Sequence, residues 1–185
     1  LGTAMYLNVP GNLMIDNCTI QGYAHGLFVR GGTAVIKNST ITNTLDDTAY
    51  ANLFLDNWGT GNSVPLAALT LGNDGDAGYL YPTDVTLENT TVTSAGTAAD
   101  SYRAIYAQGN AGEGQGVTLT CDANCQINGK IVYANEYITT NLASTGAVAK
   151  VTNASGTTSF YSSLAEAVEK AESGATVKLL QNVTT

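Results

Sequence analysis

Positive charge is scarce in this chain: seven Lys and Arg stand against fifteen Asp and Glu, a formal net charge of −8. Nucleic acid and anionic membrane surfaces both need a basic patch, so neither is expected as a partner, and tight binding of polyanions such as pectate or heparin is disfavoured. Charged residues of either sign make up only 12%, which points away from a helical or a charge-rich disordered chain. No apolar run approaches the roughly 18 residues of a membrane span, so no membrane insertion is expected. No secretory signal opens the chain either. Residues Leu1-Gly2-Thr3-Ala4-Met5 already lead into a strand, so the expectation is a piece of a larger multidomain protein, and the missing leader carries no information on location. Sulfur and imidazole are also sparse, with three Cys and one His, a poor supply for a four-ligand zinc site. Cys18 stands alone, whereas Cys121 and Cys125 are close enough in sequence for a small loop-closing disulfide, the alternative being free thiols.

What the chain has instead is turn-rich repetition, with 20 Gly among 185 residues and many Thr, Asn and Ser. A five-residue string of apolar, any, apolar, any, Asn recurs at Leu13–Asn17, Ala34–Asn38, Leu69–Asn73 and Val85–Asn89. Alternation over five residues is the period of a strand with one buried face. A closing Asn suits a bend, because Asn tolerates the left-handed region and its amide bonds nearby backbone. Three copies continue with a small residue, Thr and a β-branched apolar residue, as in Ser39-Thr40-Ile41. Strand and bend repeated every few tens of residues predict a solenoid of stacked coils.

A second ladder accompanies the first. Aromatic residues at Tyr6, Phe28, Phe54, Tyr106 and Tyr133 each sit between apolar neighbours, and Tyr79 and Tyr81 halve the one wide gap. About six coils are predicted, with all-β architecture over residues 1–145. Residues 146–185 read as strand, helix and strand, a cap of the solenoid or the start of a following module. Ser163 and Glu166 make a capping box, Leu164, Val168 and Ala171 share one face, and Gly174 stops the helix.

Alternating strands ending in Asn resemble the right-handed parallel β-helix of the pectate-lyase-like superfamily. The tail, Tyr161-Ser162-Ser163-Leu164-Ala165-Glu166-Ala167-Val168 followed by Gly174-Ala175-Thr176-Val177-Lys178-Leu179-Leu180, resembles the opening of β-helical modules in large bacterial surface proteins. The resemblance implies an extracellular, cell-wall-associated location. It also raises the hydrolases and lyases of that fold, which use clustered Asp residues or an Arg or Lys base. Here the corresponding residues are Asp46, Asp47, His25 and Arg103. In the hydrolases the Asp pair precedes the His-Gly and then the Arg, whereas His25 here precedes Asp46, a departure from that pattern.

Ligand-contact candidates are Trp58, Tyr79 and Tyr81 in the longest loop, then Tyr6, Phe28, Phe54, Tyr106 and Tyr133, which period two sends outward if their neighbours face inward. Such a row would suit the apolar faces of sugar rings, and the competing reading is that the rings stack on one another or lie under a covering segment. Asn73, Asp74 and Asp76 place oxygen ligands around a Gly, a weak calcium motif lacking the rest of an EF-hand; no other cofactor is expected. The sequons at Asn17, Asn38, Asn89, Asn153 and Asn182 read as structural. The functional expectation is a non-catalytic adhesin or stalk module for a host or microbial glycan or surface protein, the alternative being a fragment of a polysaccharide lyase or glycoside hydrolase.

Overall fold

The computed structural model describes residues 2–46, 66–72, 81–96, 103–110 and 115–183. The chain runs through β1 (Thr3–Leu7), β2 (Asn12–Asp16) and β3 (Thr19–Gly22), then β4 (His25–Val29), β5 (Gly32–Lys37) and β6 (Thr40–Asn43). It continues with β7 (Ala67–Gly72), β8 (Thr83–Glu88) and β9 (Thr91–Thr93), then β10 (Arg103–Gln108), β11 (Val117–Cys121) and β12 (Gln126–Asn128). β13 (Ile131–Tyr133) and β14 (Ile138–Thr140) close this series. Pairing joins every third strand: β1-β4-β7-β10-β13 form one sheet, β2-β5-β8-β11-β14 a second and β3-β6-β9-β12 a third, all parallel. The protein is all-β, its strands mostly parallel and stacked in sheets compatible with a β-helix-like fold.

The alternation explains the pairing. Ile15, Ile36, Leu87 and Cys121 are register partners along the second sheet, and Ile20, Ile41, Val92 and Ile127 along the third. Leu27, Leu69, Ile105 and Ile131 align along the first. These rows meet in a single hydrophobic cluster, so each strand buries one face and the register is set by it.

The bends follow from the Asn residues. Asn17, Asn38 and Asn89 have φ of 53°, 48° and 45°, the left-handed region that Asn enters at low cost. Their side chains bond between rungs: Asn89 Nδ2 donates to Asn38 Oδ1 and Asn38 Nδ2 to Asp16 Oδ1, each at 2.9 Å. The small residue after each Asn also has a role. Cys18 Sγ donates to the carbonyl of Asp16 at 3.2 Å, Ser39 Oγ to that of Lys37, and Thr90 Oγ1 to that of Glu88 at 2.9 Å, each satisfying a carbonyl two residues back, where the strand ends.

Two sequence expectations shift. The copy at 69–73 belongs to the first sheet rather than the second, and its positive φ falls on Gly72 (86°); Asn73 lies outside the described residues. In the aromatic row Tyr6 pairs with Phe28, but Phe28 and Tyr106 both pair with Thr70, and Tyr106 pairs with Val132. Tyr133 is one residue out of register with the row and packs on the core. Phe54 and Tyr79, on which the six-coil count partly rests, lie outside the described residues.

Residues beyond β14 form a three-stranded antiparallel sheet, with β15 (Ala149–Thr152) between β16 (Thr158–Tyr161) and β17 (Thr176–Leu179). Helix α1 (Leu164–Lys170) starts as expected, Ser163 Oγ accepting the Glu166 amide at 3.2 Å. Its buried face differs from expectation: Ala167 is sealed against Ala149 and Val151, while Val168 is 59% exposed.

Candidate functional site

The outer side of the first sheet carries the aromatic candidates Tyr6, Phe28 and Tyr106. Tyr6 and Phe28 stack with centroids 4.9 Å apart, and His25 lies 5.8 Å from Phe28. Phe28 and Tyr106 are only 1% and 7% exposed, whereas Tyr6 is 37% exposed. Two of the row's rings therefore lie under cover, and Tyr6 alone among its described members reaches solvent substantially at the rim.

The polar groups on this side are engaged in packing. His25 is buried, its Nδ1 2.9 Å from Thr70 Oγ1. Burial pulls its pKa down to about 4, because a charged imidazole would lose its hydration there. Buried Arg30 donates through Nη1 to Tyr6 Oη at 3.2 Å and to Asn8 Oδ1 at 3.4 Å. The Arg103 guanidinium sits 5.6 Å over the Tyr106 ring, and Tyr106 Oη donates to Gln108 Oε1 at 2.7 Å. The structure thus gathers His25, Phe28 and Thr70, and separately Arg103 and Tyr106. Asp46 is exposed. Asp47, Trp58, Asp74 and Asp76 lie outside the described residues, and among the described residues no cluster of three His, Cys, Asp or Glu could hold a metal.

Cys121 and Cys125, expected as a bridge or as free thiols, are free thiols in contact with one another. Burial pushes the Cys121 thiol up to about 12. Cys125 Sγ donates to the carbonyl of Leu87 at 3.3 Å. Position 125 follows the row of Cys18, Ser39 and Thr90, and its bond to the neighbouring rung matches that of Thr90 Oγ1 to the carbonyl of Ile36 at 3.1 Å. Tyr81 is 44% exposed and lies against Gly31, where an added Cβ would come within 3.1 Å of its own Cβ.

A concave feature lies elsewhere among the described residues. A cleft of about 370 Å³ opens between β13 and β14 at the end of the parallel sheets and β16 and α1 of the C-terminal unit. Its lining includes the aromatic residues Tyr133, Phe160 and Tyr161 and the polar residues Asn135, Glu136 and Lys170. Several of these groups are held in place. Tyr133 Oη donates to the carbonyl of Leu142 at 2.6 Å, and burial raises its phenol pKa. Asn135 clamps the backbone of Gly109, Nδ2 donating to its carbonyl at 2.8 Å and Oδ1 accepting its amide at 3.2 Å. Rings beside short-reach donors and acceptors can hold a small polar molecule that has an apolar face.

Of the described residues proposed from sequence as site residues, Tyr133 lines this cleft. Phe160, Tyr161, Glu136, Glu166 and Lys170 were missed as site residues. Adjacent aromatics ahead of a helix cap were readable as a strand end, but no linear spacing ties them to residues 131–136. No protein-family model, curated protein or solved structure matches this chain.

Proposed function

We propose that this chain is a right-handed parallel β-helical module of a large bacterial, cell-wall-associated surface protein, and that it binds a glycan or surface protein without transforming it. The cyclic visit of each pass to three parallel sheets supports the solenoid, and the strong preference of parallel crossovers for the right hand supports its handedness. The observation that carries binding over catalysis is the state of His25. The one imidazole of the chain is sealed beside Phe28, hydrogen-bonded to Thr70 and held neutral, a packing role that leaves it out of reach of a bulky polysaccharide. Arg103, stacked on Tyr106, is employed in a similar way.

The acidic balance of −8 keeps such a surface soluble and favours neutral over polyanionic partners. An array of bacterial and host glycans, run beside a cell-adhesion assay with the purified chain, tests the reading. Saturable retention of a glycan or of cells is the expected result. Silence in both assays would leave a spacer with no binding role.

A further inference from the structure

We propose that the cleft between β13–β14 and β16–α1 is a saccharide site that takes a short neutral glycan segment; this rests on the binding reading above and assigns it a place. The sequence would put such a ligand on the aromatic row of the first sheet, but Phe28 and Tyr106 in that row are covered. The cleft is lined instead by three aromatic residues: Tyr133 from the last strand of the first sheet, and Phe160 and Tyr161 from β16. Adjacent residues of a strand point to opposite faces: Tyr161 packs on the cluster of Ala149, Val151 and Ala167, and both it and Phe160 border the cleft. Around the rings stand Asn135, Ser159, Glu136, Glu166 and Lys170.

A pyranose has an apolar C–H face and a rim of hydroxyls, and it matches a site in which rings alternate with amide, hydroxyl and carboxylate groups. A volume of about 370 Å³ lies near the lower end of the ~300–1,000 Å³ range of small-molecule sites, room for about one or two sugar rings. Charge selects within that class. Two acidic residues, Glu136 and Glu166, and one basic residue, Lys170, line the cleft on a chain of net −8, so uronates are disfavoured and neutral sugars remain.

The two walls of the cleft belong to different cores. Tyr133 packs on the cluster of the parallel sheets, and Tyr161 on the separate cluster of Ala149, Val151 and Ala167. A bound sugar therefore ties the C-terminal unit to the stack, and amide exchange should slow on both walls together.

The test is calorimetric titration of the full chain with cellobiose, lactose, chitobiose and digalacturonate, with hydrogen exchange read on the same samples. One or more neutral disaccharides should bind, digalacturonate should bind at least tenfold more weakly, and exchange should slow across both 131–136 and 159–170. Phe160→Ala should lower affinity about tenfold, the usual worth of one stacked ring. Ser144→Trp fills the cleft from the turn before β15 and should abolish binding while both cores stay intact. A glycan that binds wild type and both variants equally overturns the cleft assignment but leaves the binding function standing. Digalacturonate binding more tightly than the neutral sugars overturns the charge argument, and so the proposed ligand class. Absence of binding to these sugars, to a glycan array and to cells would bring down both readings.

Discussion

Asn38 is where the repeat and the fold meet, and its replacement separates two causes of the bend. The residue is exposed, has φ of 48°, donates to Asp16 and accepts from Asn89. Replacing it with alanine removes both side-chain bonds, together worth about 1 kcal/mol for solvent-accessible groups. It also forces an alanine into the left-handed region, at about 1–2 kcal/mol. Asn38→Ala should therefore cost about 2–3 kcal/mol. Asn38→Gly loses the same two bonds but relaxes the backbone, and its extra chain entropy adds only about 0.5 kcal/mol, for a total of about 1.5 kcal/mol. Urea unfolding of the three proteins, with matched slopes, measures both differences. Glycine should recover about 1 kcal/mol of what alanine loses. Equal destabilisation by the two substitutions would refute the claim that backbone conformation, rather than the amide ladder, is why Asn recurs.

Acid should weaken the fold through His25. Its pKa is about 4 when folded, against 6.5 for the ordinary group, so the unfolded chain binds the extra proton between those values. Its contribution is intact above pH 6.5 and falls to a loss of about 3 kcal/mol by pH 4; a His25→Gln variant should lack that part of the slope, and identical pH profiles would contradict a sealed imidazole. Leu87 is fully buried between the register partners Ile36 and Cys121, so Leu87→Ala should cost about 2–5 kcal/mol in urea unfolding, and a loss below about 1 kcal/mol would deny it a core place. Iodoacetamide at pH 8 should label exposed Cys18 well ahead of Cys121, whose buried thiol is held at about 12, because the thiolate is the reacting species; equal rates by mass spectrometry would show that Cys121 is not buried.

The legible part of the fold was its local chemistry. At Asn17, Asn38 and Asn89 a strand period and a left-handed bend coincide within five residues, and the structure places all three at the same corner. Leu69–Asn73 matches that string letter for letter yet joins the first sheet, with its positive φ on Gly72. Sheet membership depends on where the preceding loops deliver a strand, which the string does not encode. Tyr133 shows the same limit in register: pairing Ile131 with Ile105 gives Val132 the outward place and turns Tyr133 toward Leu142. In the helix, the apolar spacing favoured Val168, but Ala167 is the residue buried against the sheet. The cleft was the least legible feature, since its walls are joined only by docking of the C-terminal unit against the end of the sheets.

The measurement that bears most directly on the central claim is product analysis after prolonged incubation of the chain with a polysaccharide panel. Binding without transformation predicts that the retained polysaccharide elutes at its original length, with no new reducing ends and no unsaturated sugars. Chain cleavage by the wild type that disappears in Asp46→Ala or Asp47→Ala would contradict it, and would favour a polysaccharide hydrolase or lyase instead.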